Sequence, residues 1–274
     1  MTKTLDFPIV IASGASQVSI EYYASQLNKQ PHEIKLFPEI VAESLAGYCI
    51  NIATPGISNR KILRKTLYEC IKQSENNPGQ PIIVLVELTF DLRKDLWIES
   101  VEKTEDDKND NNDSNFVSAQ IARNINWWKE RFTRNISDTV IDIIERTKYL
   151  TPMDKKYITQ WQKVEQYFYS SYAENINLTM DLINFTGYMK SNNIRYLIFR
   201  GNPVEKFEEE HLLDTFNAVL LADPGVFDLR HFSFTQWCLE KNYKPLDYED
   251  RPEIGHPSLE AHREFGLFLA NHLK

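Results

Sequence analysis

Residues 7–16 read Phe7-Pro8-Ile9-Val10-Ile11-Ala12-Ser13-Gly14-Ala15-Ser16, a short apolar run that stops in small residues. Such a run, closed by Ser and Gly, is predicted to be a strand covered on both faces. Pro81 to Thr89 (Pro-Ile-Ile-Val-Leu-Val-Glu-Leu-Thr) shows the same pattern more strongly, and Tyr48–Ala53 and Arg195–Phe199 are two further strand candidates. Helical stretches lie between them: Val18–Leu27, Pro38–Ala46, Asn59–Ser74 with Ile62, Leu63, Leu67 and Ile71 at helical spacing, and Asp154–Lys190. Further on, Val219–Ala222 reads as a last short strand and Phe232–Lys241 as a helix. Pro257 suits the first position of a final helix. Strands that alternate with helices make parallel βαβ units, so an α/β fold of three layers around a parallel central sheet is expected. Ligands in such sheets sit beyond the carboxyl ends of the strands. That rule points to the loops at Ser16, Gly56, Thr89–Arg93 and Arg200–Asn202.

The composition agrees with a folded chain. Of 274 residues, 42% are apolar and 26% charged, which is neither collagen-like nor disordered. A single domain over 1–274 is expected. A net charge of −8 supplies no basic field for nonspecific nucleic-acid binding. No run approaches the ~18 apolar residues of a membrane span. The N-terminus lacks the charged start, apolar middle and cleavage site of a signal peptide, so a cytoplasmic location is expected. Cys49, Cys70 and Cys238 are odd in number and include no CxxC pair, so inert thiols are expected rather than a disulfide framework or zinc site. Thr104–Asn115 is polar, mostly acidic and free of apolar residues; it is expected to be mobile. Phe116–Tyr149, which carries Trp127-Trp128, is expected to be helical. The stretch 104–190 would then be an insertion between the third and fourth strands, placed as a lid.

Ser16, alone, reads as a helix cap, and His256, alone, as an exposed loop residue. Glu253, three residues before His256, reads alone as a solvated acid. Together they fit a known chemistry: a hydroxyl nucleophile needs a base, and the base needs a partner that holds its tautomer. Gly56 would let a backbone N–H approach a developing oxyanion. Gly-x-Ser-x-Gly is absent, because position 18 is valine, and the serine comes too early for a classical α/β-hydrolase. Neither Gly-x-Gly-x-x-Gly nor a P-loop occurs. His262 is expected on the surface of the final helix.

Gly14-Ala15-Ser16, then Asn51-Ile52-Ala53-Thr54-Pro55-Gly56-Ile57-Ser58-Asn59, then Glu253-Ile254-Gly255-His256 follow in the block order of the SGNH (GDSL-type) hydrolases. The chain resembles that superfamily over residues 7–274, and looks most like its divergent members in tailed phages and marine bacteria. The resemblance implies a flavodoxin-like SGNH fold and a serine esterase or deacylase acting on a small acyl ester, such as an acetyl ester of a carbohydrate. It needs no metal or organic cofactor, and it places the protein in the cytoplasm, that of an infected bacterium if the phage likeness holds. Ser16 would be the nucleophile, His256 the base and Glu253 the acid. Gly56, Asn59, Thr89, Arg93 and Arg200 are the candidates for oxyanion or substrate binding. The sequence departs from the family pattern in three places. Ala15 and Glu253 replace aspartates, and the third block, Glu87-Leu88-Thr89-Phe90-Asp91-Leu92-Arg93, has no asparagine. A catalytically silent relative with a ligand-binding or structural role is therefore the second expectation.

Overall fold

The computed structural model describes residues 7–89, 93–97, 116–120, 171–203, 218–247 and 255–274. The acidic tract 104–115, the aromatic pair Trp127-Trp128 and the helical expectation over 121–170 lie outside the described residues.

Strand β1 (Ile9–Ser13) leads through α1 (Ile20–Leu27) and α2 (Phe37–Ser44) to β2 (Tyr48–Asn51). From there α3 (Asn59–Asn76) leads to β3 (Ile82–Leu88). A two-stranded antiparallel ribbon follows, β4 (Arg93–Trp97) with β5 (Phe116–Gln120). Next come α4 (Ser171–Ser191), β6 (Arg195–Arg200), α5 (Phe234–Glu240) and α6 (Leu259–His272). The main sheet runs β2-β1-β3-β6, with every pair parallel.

Burial explains why the central strands are apolar at every position but Ser13 and Glu87: β1 and β3 are buried throughout. Their side chains alternate between two cores. Ile9, Ile11, Val84, Val86 and Ile198 face α3 and α4. Val10, Ala12, Ile83, Leu85, Leu197 and Phe199 face α2, α5 and α6. Helices therefore cover both faces of the sheet. Each fully buried aliphatic side chain contributes about 1.5–3 kcal/mol, enough to offset the ~1–2 kcal/mol that ordering one residue's backbone costs. In α6, Ala261, Phe265 and Leu269 recur every fourth residue and turn into the second core. Gly266 lets α6 approach α2 closely, because a Cβ there would lie 2.8 Å from the Ile40 side chain. Among the described residues no helix is long and apolar enough to cross a membrane.

Three expectations are corrected. Phe116–Gln120 is a strand and not a helix: its Phe116, Val117 and Ala119 pair with Trp97, Leu96 and Lys94. The run expected as a last strand is helical at 218–221, with Ala222 N–H donating to Ala218 O at 3.1 Å. The sheet edge is extended instead by Val226, bridged in parallel to Ile198; a run this short has no periodicity to separate the two states. Finally, Pro257 precedes α6. Ser258 is its cap, accepting the Ala261 N–H at 3.2 Å.

Candidate active site

The strand order places the loops after β1, β2, β3 and β6 along one edge of the sheet. Ser16 lies in a turn after β1, closed by Val18 N–H donating to Ala15 O at 3.3 Å. The cap of α1 is Ser19, whose Oγ accepts the Tyr22 N–H, so Ser16 has no capping role. A buried carboxylate holds this turn in place. Glu87, the one acid in β3, accepts the Ala15 N–H on Oε2 at 2.9 Å and is 1% exposed. The carboxylate fills the space between two glycines. A Cβ on Gly14 would lie 2.5 Å from its Oε2, and one on Gly201 would lie 1.7 Å from its Oε1. Gln17, also buried, reaches across to the loop after β6 and donates from Nε2 to Asn202 Oδ1 at 2.9 Å.

His256 comes from the far end of the chain. Pro245 and Pro257 form an antiparallel bridge, and Leu246 N–H donates to His256 O at 2.6 Å. Gly255 permits this approach, since a Cβ there would lie 2.6 Å from Asp247 O. The pairing sets Asp247 beside the imidazole. Its Oδ1 accepts the His256 backbone N–H at 2.7 Å, and its Oδ2 faces His256 Nδ1 at 2.7 Å. A carboxylate at Nδ1 makes that nitrogen the donor, which leaves Nε2 as the acceptor. Nε2 is 2.9 Å from Ser16 Oγ, so the serine hydroxyl donates to it. Burial alone would raise the Asp247 pKa. The hydrogen bonds and charge of His256, with a bond from Tyr22, outweigh it and hold the carboxyl below the ordinary aspartate value.

The carboxylate at His256 Nδ1 is thus that of Asp247, nine residues upstream. Glu253, expected in that role, lies outside the described residues, as does Asp250. Four acids, Asp247, Glu249, Asp250 and Glu253, precede His256 within ten residues, and spacing alone does not rank them. The Pro245–Pro257 pairing does.

Beneath the imidazole lies a second polar layer. Tyr23 donates its hydroxyl to Pro257 O at 2.8 Å, which pins the backbone next to His256. His262 is fully buried, not on the surface as expected. Its Nδ1 accepts the Phe37 N–H at 3.3 Å, so Nε2 carries the proton and donates to Tyr23 Oη at 2.8 Å. Burial, followed by the nearby His256, pushes the His262 pKa down to about 3, and the ring stays neutral.

The remaining candidates divide. Gly56 has a positive φ of 81°, and a Cβ there would meet nothing within 4 Å; its loop is tied to the Ser16 loop by Thr54 N–H donating to Gly14 O at 3.0 Å. Asn59 and Thr89 are bonded to each other. The Asn59 amide accepts the Thr89 N–H at 2.7 Å and donates to Thr89 O at 3.2 Å, which clamps the end of β3 to the start of α3. Arg93 opens β4, paired with Gln120. Arg200 ends β6 and is buried, and strand alternation puts it on the face opposite Phe199 and Glu87. Among the described residues no group of three or more His, Cys, Asp or Glu side chains is gathered to hold a metal ion. Burial raises the thiol pKa of Cys49, Cys70 and Cys238, the last two to about 12. The sequence reading passed over Asp247, Tyr22 and Glu87. Of these, Glu87 alone carried a signal, as a lone acid in an apolar strand. Neither any protein-family model nor any curated protein matches the chain.

Proposed function

We propose that this chain is a serine hydrolase of the SGNH type that cleaves a small acyl ester, with Ser16 as nucleophile, His256 as general base and acid, and Asp247 as the acid that orients it. One observation carries the reading: the unbroken line of hydrogen bonds from Ser16 Oγ through both nitrogens of His256 to Asp247. The sheet order β2-β1-β3-β6 suits the flavodoxin-like arrangement of that superfamily. In this mechanism Ser16 Oγ attacks the acyl carbon while its proton passes to His256 Nε2. Asp247 stabilises the imidazolium without taking the proton. The imidazolium then protonates the leaving alcohol, and an acyl–Ser16 ester remains. A water molecule, deprotonated by Nε2, attacks that ester; the acyl–Oγ bond breaks, the imidazolium returns the proton to Ser16 Oγ, and the acid is released. The oxyanion would sit against the N–H groups of Ser16 and Gly56, neither of which is hydrogen-bonded among the described residues.

The second reading, a silent relative that binds a ligand, draws on the Asn59–Thr89 clamp. That clamp ties up the backbone of Thr89, in the block where the resemblance implies an oxyanion-hole asparagine that this chain lacks. A fluorophosphonate probe separates the two readings. The hydrolase reading expects Ser16 to be labelled, with labelling and p-nitrophenyl acetate hydrolysis both lost in Ser16→Ala while stability changes by less than about 1 kcal/mol. A folded wild-type protein that takes no label supports the binding role.

A further inference from the structure

Tyr22 touches both partners of Ser16 and is used by none of the steps above. Its hydroxyl lies 3.0 Å from Asp247 Oδ2 and 3.1 Å from His256 Nδ1. Its ring is stacked on the imidazole, with centroids 4.1 Å apart and planes inclined by 29°. Tyr22 belongs to the first turn of α1, the helix that the nucleophile turn runs into, whereas Asp247 and His256 lie 225 and 234 residues away in sequence. We propose that Tyr22 is a positioning residue that registers the Asp247–His256 loop against the Ser16 turn and sets its ring on the face of the imidazole; this rests on the serine hydrolase reading.

Two physical effects carry the proposal. Asp247 Oδ2 accepts two donors, Nδ1–H and the phenol, so the phenol fixes the carboxylate rotamer that faces Nδ1; the donor it adds slightly weakens the pull on Nδ1–H, and its contribution to rate is the fixed rotamer. The stacked ring presents its π face to a group that becomes cationic during proton transfer, and a cation on an aromatic face is stabilised. Among the described residues, the titratable groups around the imidazole are Asp247 and Tyr22, then Tyr23 edge-on at 6.3 Å, with His262 behind Tyr23. Tyr23 and His262 bond to each other, and their remaining bonds go to Pro257 O and the Phe37 N–H, respectively. That leaves Tyr22 as the side chain, among those described, that bridges α1 to the acid and base themselves.

Two substitutions separate the effects. Tyr22→Phe keeps the ring and deletes the hydroxyl; Tyr22→Leu deletes both. With p-nitrophenyl acetate as probe, kcat should fall about tenfold in Tyr22→Phe and about 100-fold in Tyr22→Leu, with KM nearly unchanged, since Tyr22 holds the base and not the ester. A merely structural role would not move the low-field proton resonance of His256 Nδ1–H. With one donor fewer on Oδ2, that resonance should shift further downfield in Tyr22→Phe. An unmoved resonance overturns the proposal, and so does a moved resonance with unchanged kcat. If Tyr22→Leu fails to fold, Tyr22→Phe decides alone. If the wild-type protein takes no fluorophosphonate label, the hydrolase reading fails, and with it the effect on rate; the resonance still reports whether Tyr22 sets the Asp247–His256 contact.

Discussion

At Asp247 two forces oppose each other. Its side chain is partly withdrawn from water, which disfavours charge, yet donors at both oxygens hold it ionised. An ionised carboxylate fixes the Nδ1–H tautomer of His256, and only that tautomer leaves Nε2 free to take the serine proton. Asp247→Asn keeps the shape but can present its amide N–H groups to Nδ1 and so favour the wrong tautomer. The expected loss in kcat is up to about 10⁴-fold, the scale seen when a triad aspartate is so changed. Glu253→Gln should leave kcat within a few fold, and steady-state assays of both variants on p-nitrophenyl acetate check the contrast. The Ser16–His256 pair was legible in the sequence because each stands at a punctuation mark, Ser16 after a strand and His256 before a helix. The carboxylate at Nδ1 was not, because its choice depends on which loop residues pair across the Pro245–Pro257 bridge, a tertiary fact.

Among the elements, β3 does two jobs. Its apolar run was readable as a buried strand, and the structure places Ile82–Leu88 where the pattern put it. The same strand carries Glu87 one residue before its end, and that carboxylate wedges between the loops after β1 and β6. Gly14 and Gly201 are therefore glycine for space and not for φ, since neither has a positive φ. Gly201→Ala would force a methyl into the carboxylate and should destabilise by about 1–3 kcal/mol, the usual cost of overpacking. Combining it with Glu87→Ala should cost less than the two single changes added together, because the clash is then removed. Urea midpoints of the four proteins give that cycle directly. The elements that the sequence pattern misassigned, Phe116–Gln120 and 218–221, are short runs outside the four-stranded sheet. Their state is decided by what lies alongside them.

The whole molecule carries a built-in response to acid. His262 is neutral and enclosed in the fold, with a pKa near 3, whereas in the unfolded chain it titrates near the ordinary value of ~6.5. As pH falls below ~6.5 the unfolded state gains a proton that the folded state refuses, so stability is lost progressively down to about pH 3. The slope reaches at most about 1.4 kcal/mol per pH unit. Asp247 acts in the same direction lower on the scale. Its depressed pKa adds stability above the ordinary aspartate range, and that stability disappears as pH falls through the folded value. Stability measured by urea denaturation should fall between pH 7 and pH 5. His262→Gln, which keeps a donor and an acceptor without the titration, should show a much flatter dependence over that interval.

Ser16 and His256 stand 240 residues apart, and that separation has a meaning in time. At the ~5–20 residues per second of protein synthesis, the ribosome makes the serine roughly 12–48 s before the histidine. Throughout that interval the growing polypeptide holds a hydroxyl with nothing to remove its proton. On the hydrolase reading, a half-made chain is chemically inert toward the esters around it, and reactivity appears only once Asp247 and His256 have emerged and the last helix has docked against α2.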